Sequence, residues 1–398
     1  MLKYLNLSDI KFFLLGCLPV LFYFISHLSM LDGSVKFLIY ALVLGFISLF
    51  LFLFSAREIF FKLKYKRSIV LIGFSALIVF VYSWIFPPLY EYGVDKVYYI
   101  YVVLLLLSYT IVCSFLNKNT MTGFIFLLFL SSVFYCFLSV FLGVDENNAR
   151  KSSIGLNPTI MAKMCIISAA YCSVYMFFQK KINIFYFVFL LFSIFAVFKT
   201  GSRGPLLAYG FSFLLLYLVR NGISKALNII IAIPIVYFLF SKVIQFLPED
   251  LSKRYSMEAI SVEENSDDGD RVQLWETASD IIANNSWGIG SGNFLDYSFI
   301  AVPHNIILEI GVEYGVLFMI LFSILLVLSA IYAVVALRRD NSFINNFMFL
   351  LFFMQIVNSL LGGDLSIQAY LLYVCMAYFL FSYNKQFVRY QSQLRKLS

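Results

Sequence analysis

Charge is what this sequence has least of. Asp, Glu, Lys and Arg make up 13% of its 398 residues, against roughly 25% in soluble domains. So few charges cannot cover the surface of a water-soluble protein of this length, which excludes a soluble enzyme and a disordered chain. Histidine occurs only twice, as His27 and His304. The six cysteines, Cys17, Cys113, Cys136, Cys165, Cys172 and Cys375, all lie within apolar runs. They read as small buried hydrophobes, which excludes a disulfide scaffold and a zinc-type spacing. No A-x-A-like site follows the first apolar run, so that run is read as a retained membrane helix. Internal repeats, heptads and low-complexity linkers are also lacking.

What is abundant is apolar surface. Hydrophobic residues reach 62%, with 46 Phe and 27 Tyr. A helix crosses the hydrocarbon core with about 20 apolar residues. Twelve such runs are read at 12–31, 36–55, 68–86, 97–116, 121–143, 158–178, 182–198, 203–219, 225–246, 314–337, 343–361 and 366–383. The expected fold is an all-α polytopic membrane protein with about 12 transmembrane helices, forming a single integral membrane domain over 1–398. Of the 29 Lys and Arg, 18 fall in one set of loops beside only three of the 22 acids, Asp9, Glu58 and Asp340. That bias marks the cytoplasmic side and puts both termini there. The net charge of +7 is then an orientation signal, and no nucleic-acid partner is expected.

One outer loop is long, within 247–305. Its first half is acidic and polar, ending in Asp267-Asp268-Gly269-Asp270. Carboxylates so spaced suit either a hard cation or, far more commonly, a solvated loop, and no metal is expected. Leu274, Trp275, Ala278, Ile281 and Ile282 then recur at helical spacing. They predict an amphipathic helix that opens near Arg271, is capped by Asp268 or Asp270, and lies on the bilayer or on the helix bundle. Gly288, Gly290 and Gly292 alternate in a turn that suits backbone N–H donation to a phosphate. Pro303-His304-Asn305 opens a further helical stretch, 306–315.

Three outer-face residues carry chemistry that topology does not require. Arg203 sits in Thr200-Gly201-Ser202-Arg203-Gly204-Pro205, where one span ends and the next begins. Thr200 or Ser202 is expected to cap the new helix, with Pro205 in its first turn. A helix N-terminus and a planar guanidinium both suit phosphate oxygens. Arg271 opens the loop helix, and His304 suits a general base. Glu309 and Glu313 share a helix face and are expected to orient His304 or bind a sugar hydroxyl. Lys163, near the outer end of its span, either snorkels outward or reaches a lipid phosphate.

The ordered set Thr200-Gly201-Ser202-Arg203-Gly204, Arg271-x-x-x-Trp275, Trp287-Gly288-Ile289-Gly290-Ser291-Gly292-Asn293-Phe294 and His304-Asn305-x-x-Leu308-x-x-x-x-Glu313-x-Gly315 resembles the O-antigen ligase/O-antigen polymerase superfamily of bacterial envelope glycosyltransferases. The resemblance covers about 199–315, with a weaker echo at Arg150-Lys151 and Gly155-Leu156-Asn157-Pro158. It implies glycosyl transfer without metal or cofactor at the periplasmic face of the inner membrane. Donor and acceptor would be glycans linked to undecaprenyl diphosphate, with membrane lipids and a chain-length regulator protein as further partners. By motif, Arg203 and Arg271 would hold the diphosphate, and His304 would take or orient the acceptor proton. Ser202, Asn305, Glu309, Glu313, Gly290, Arg150 and Lys163 would contact substrate.

Two readings within the family share these groups. A polymerase extends a lipid-linked repeat unit, and a ligase passes the finished glycan to lipopolysaccharide core. Only 33 positions separate Arg271 from His304, and this compactness favours the polymerase. A transporter of lipid-linked oligosaccharide is the reading from another class. It fits less well, because carriers often show repeated halves and mid-membrane charge.

Overall fold

The computed structural model describes chiefly residues 79–97, 118–142, 144–146, 150–152, 157–179, 183–222, 267–298, 300–362 and 369–380, with a few isolated positions elsewhere. The expected runs 36–55 and 225–246, most of 12–31 and 97–116, and both termini lie outside the described residues.

Helix dominates what is described. The elements are α1 (Lys118–Phe141), β1 (Val144–Glu146), β2 (Arg150–Ser152), α2 (Pro158–Ser173), α3 (Ile184–Thr200), α4 (Gly204–Asn221), α5 (Asp267–Asn284), α6 (Ile306–Tyr314), α7 (Val316–Arg339) and α8 (Phe343–Gly362). An apolar helix α9 follows at Tyr370–Leu380. Among the described residues, four stretches are long and apolar enough to span a bilayer: Met121–Phe141, Pro158–Phe178, Val316–Arg339 and Phe343–Gly362. The last five residues of the second, Val174–Phe178, wind as a π turn. With 17 residues, α3 is about 25 Å long at 1.5 Å per residue, just short of a ~30 Å hydrocarbon core. The architecture is all-α and polytopic, with one departure. Strands β1 and β2 pair antiparallel in a register that sets Asp145 opposite Lys151 and Glu146 opposite Arg150. That alternation of acids and bases gave no apolar periodicity from which to read it.

The chain divides into two compact units. One comprises Met1–Leu127, Trp275–Tyr332 and Gly362–Ser398; the other comprises Leu128–Leu274 and Ala333–Leu361.

In the second unit α2 is the core helix. Ala162, Cys165, Ser168, Ala169, Ala170 and Cys172 are all fully buried. Small side chains let neighbouring backbones approach closely, and hydroxyls bond across the gap, as expected where water gives no apolar drive. Ser168 bonds Ser193 of α3 at 2.6 Å, and Ser132 of α1 donates to the Met164 carbonyl at 2.6 Å. Tyr171 packs against Phe129 at 4.3 Å and Phe343 at 5.0 Å between ring centroids. At the other end of α4, Arg220 donates to Asn346 at 2.8 Å and to the Asp340 carbonyl at 2.9 Å.

In the first unit, Tyr82 packs on Tyr314 and Phe318, and α7 meets α9 through Phe322 and Tyr373. Ala278 and Ile281 of α5 are buried, as is Leu274 at the edge of the other unit, as their spacing predicted, so this helix rests on protein. It starts earlier than Arg271. Asp267, Asp268 and Asp270 fall within its opening turn rather than in a loop or at a cap position.

Candidate active site

Most residues singled out in the sequence fall in two clusters, one in each unit, while Arg271 belongs to the unit that holds Arg203.

The first cluster surrounds the α3–α4 turn. Helix α3 ends when Gly201 adopts a left-handed backbone, φ 69°, and its N–H returns to the Phe198 carbonyl. Glycine takes this conformation without a Cβ penalty. Neither Thr200 nor Ser202 caps α4, contrary to expectation. Thr200 is buried and donates to the Val197 carbonyl at 2.7 Å, while accepting from the Ser202 N–H at 3.3 Å. The N-cap position belongs to Arg203 itself, with no side-chain cap bond, and Pro205 occupies the first turn. Thr200 folds back on its own helix because the left-handed Gly201 turns the chain at that point.

Ser202 reaches the start of α2, where its hydroxyl meets that of Thr159 at 3.5 Å. Asn157 caps α2 by accepting from the Thr159 N–H at 2.8 Å. Lys163, half-buried, follows Thr159 by one turn and so shares its helix face. Strand β2, which begins at Arg150, packs against both α2 and α3. The faint echo at 150–158 and the motif at 200–204 are thus neighbours. Two helix N-termini, those of α2 and α4, open side by side around Ser202. The positive dipole ends suit an anion there.

The second cluster is built on α6. Its N-cap is Asn305, whose Oδ1 accepts from the Ile307 N–H at 3.0 Å and the Leu308 N–H at 3.3 Å. The preceding residue, His304, is half-buried and has φ 54°. Among the described residues it is the one non-glycine with positive φ, a conformation that is uncommon outside glycine. On its other side, Trp275 Nε1 donates to the Pro303 carbonyl at 3.0 Å. Trp275 lies one turn after Arg271 in α5, where Arg271 is exposed.

The glycine turn closes the far end of α6. A helix leaves its last carbonyls without intrahelical partners. Here the Ile289 N–H donates to the Val312 carbonyl at 2.8 Å, and the Gly290 N–H to that of Glu313 at 3.1 Å. The Gly292 N–H donates to Glu313 Oε1 at 3.0 Å, and the Gly288 N–H to the Asn285 carbonyl at 2.8 Å. The N–H groups of all three glycines therefore point into the protein, and the expected phosphate contact by Gly290 gives way to a helix cap. Glycine is needed for close approach: a Cβ on Gly290 would meet the Phe86 carbonyl oxygen at 2.8 Å, and one on Gly292 would meet Gly93 Cα at 2.5 Å. Asn293 accepts from the Leu89 N–H at 2.8 Å and donates to the Ile289 carbonyl at 2.8 Å, holding 87–89 against the turn. Close by, Tyr90 donates to Asp296, a bond that pushes the phenol pKa up.

Sequence reasoning missed Lys96. Residues 91–97 are already helical, so this helix starts ahead of the run read at 97–116. Lys96 is buried, and its ammonium bonds both Glu309 and Glu313. Glu309 also accepts from the Leu365 N–H at 3.1 Å, and Glu313 from the Ser291 hydroxyl at 3.0 Å. Two carboxylates four residues apart on one helix repel, and a buried charge is tolerated only when paired and hydrogen-bonded. Lys96 supplies the counter-charge. Both Glu residues are held in this buried cluster. Nothing local marks Lys96 for this role, since it reads as one basic residue at the head of an apolar run.

Residues 187–323, about a third of the chain, match the family model described as O-antigen ligase. Over these residues the chain is similar to the O-antigen ligase family, which supports the O-antigen ligase/O-antigen polymerase superfamily. The match takes in Ser202, Arg203, Arg271, Gly290, His304, Asn305, Glu309 and Glu313, while Arg150 and Lys163 precede it. No curated protein matches the chain. Together with the apolar helices, the match describes a multi-pass membrane protein of glycosyltransferase type with ligase- or polymerase-like function.

Proposed function

We propose that the protein is an O-antigen polymerase. It transfers a glycan from undecaprenyl diphosphate to the next lipid-linked repeat unit at the periplasmic face of the inner membrane, with no metal. The observation that supports this best is the position of Arg203. It is the N-cap residue of α4, and its neighbour Ser202 reaches Thr159 at the start of α2, so two positive helix ends lie near it and suit an arriving diphosphate.

In the proposed reaction the acceptor hydroxyl oxygen bonds the anomeric carbon of the donor sugar. The bond from that carbon to the diphosphate oxygen breaks, and its electron pair leaves with the diphosphate. Arg203 and Arg271 stabilise the charge that develops there, a role in which fixed cations in a partly dry site are effective. The hydroxyl proton passes to His304, and such a base is worth about 10²–10⁴-fold. Ser202, Lys163 and Arg150 contribute to the donor side, and Asn305 holds the helix start behind His304.

The competing reading is a ligase acting on lipopolysaccharide core, which the family description favours. The short interval between Arg271 and His304 supports the polymerase, because α5, the glycine turn and one 3₁₀ turn at Asn293–Asp296 occupy most of it. A deletion strain distinguishes the two. Loss of a polymerase leaves core bearing one repeat unit, whereas loss of a ligase leaves bare core and accumulated lipid-linked polymer. Separately, Arg203→Ala, Arg271→Ala and His304→Ala should each abolish transfer with the protein still inserted, and retained transfer removes that residue from the mechanism.

A further inference from the structure

We propose that Lys96 is a positioning residue for His304, acting through Glu309 and Glu313. This rests on the reading of His304 as the proton acceptor.

His304 holds a backbone conformation that a non-glycine residue keeps only where its surroundings over-determine it. Two tethers do so. Trp275 fixes the Pro303 carbonyl just before it. Asn305 just after it is the N-cap of α6, so the placement of α6 sets the other side. That helix has nine residues and is about 13 Å long, so it is held mainly by its tertiary bonds. Lys96 makes the central ones. Its ammonium joins 91–97 to α6 at two successive turns. The same carboxylates take the Leu365 and Gly292 N–H groups and the Ser291 hydroxyl. Glu309 is five residues, or about a turn and a half, beyond His304. A shift or rotation of α6 would pass directly to its first residue and to the imidazole. A buried ion cluster is weak evidence for stability, and its better-attested use is to specify one arrangement among several.

The test compares three full-length variants in lipid nanodiscs with the parent: His304→Ala, Lys96→Met, and the triple variant K96M/E309Q/E313Q. The triple variant buries no charge and keeps amide oxygens for Leu365 and Gly292, so it remains informative where Lys96→Met fails to fold. Transfer is assayed with lipid-linked donor and acceptor, with thermal unfolding alongside. The expected result is a triple variant with a parent-like unfolding temperature and a donor KM within about twofold, but with kcat lowered about 10- to 100-fold, the scale of a misplaced reacting group. A triple variant with parent-like kcat per folded protein overturns the proposal. So does one that no longer folds, because the cluster then acts through stability first. An active His304→Ala protein overturns the reading of His304 itself, whatever the triple variant does.

Discussion

Lys96 and Glu313 bond each other inside the protein across 217 positions of sequence. The bond closes a cluster of two carboxylates and one ammonium, each of the three residues no more than 2% exposed. It ties the start of one helix to the end of another and to the glycine turn. Arrangements of this kind respond very differently to neutral and to truncating substitutions.

Glu313→Gln keeps one oxygen for the Gly292 N–H, offers its amide N–H to the Ser291 hydroxyl oxygen, and leaves Lys96 paired with Glu309. Glu313→Ala leaves both donors and part of the ammonium without an acceptor. Thermal unfolding of the detergent-solubilised protein should show the Ala variant as the weaker, by about 1–3 kcal/mol, the cost of stranding buried polar groups. Equal unfolding of the two would mean that water satisfies these donors.

His304 offers a second comparison, because its left-handed backbone suits glycine better than any L-residue. His304→Gly and His304→Ala should both lose transfer. The Gly variant should nevertheless be the more stable of the two by about 1 kcal/mol, since Ala at this φ pays a steric cost that Gly does not. A more stable Ala variant would show that the chain relaxes out of this conformation once the imidazole is gone.

Gly292→Ala tests the close approach of the turn to 91–97. The added Cβ would fall 2.5 Å from Gly93 Cα, and backbone on both sides leaves little room to yield. Overpacking of this sort costs about 1–3 kcal/mol, and the positive φ of 74° adds to it. The yield of folded, membrane-inserted protein should fall. Gly204→Ala is the matched control, because its Cβ would meet nothing within 4 Å.

Arg203→Lys preserves charge at the start of α4 but replaces a planar fork with a point donor. Donor KM should rise and kcat should fall, by tenfold or more in kcat/KM, with no change in insertion. Full activity of the Lys variant would reduce the site to simple charge attraction.

Transfer in the presence of EDTA should equal transfer without it. A loss restored by Mg²⁺ or Ca²⁺ would return attention to Asp267, Asp268 and Asp270, which now open α5.

Local pattern carried much of the fold. The apolar runs at 121–143, 158–178, 314–337 and 343–361 correspond to helices that begin and end within a few residues of them, because a membrane span is written as an uninterrupted stretch of its own chain. The buried face of α5 was legible for a similar reason: Leu274, Ala278 and Ile281 recur with the helical period. Pro205 announced the first turn of α4 because its fixed φ needs no distant partner. The order of the motifs around Arg203, Arg271 and His304 was also enough to indicate the superfamily.

Other properties depended on partners that the local sequence does not contain. The glycine turn suited a phosphate cradle as well as any other use of its N–H groups, until the end of α6 proved to be what they cap. Glu309 and Glu313 read as free carboxylates on one helix face, and Lys96 as a loop charge, because an ion pair across more than 200 positions leaves no periodic trace in either segment. The left-handed backbone of His304 likewise follows from Trp275 and from α6, not from the residue itself. Hydrophobic periodicity is a property of single elements and can be read along the chain. Burial of charge is settled only when two elements meet, since an ammonium or carboxylate leaves water only where its counter-charge is already in place.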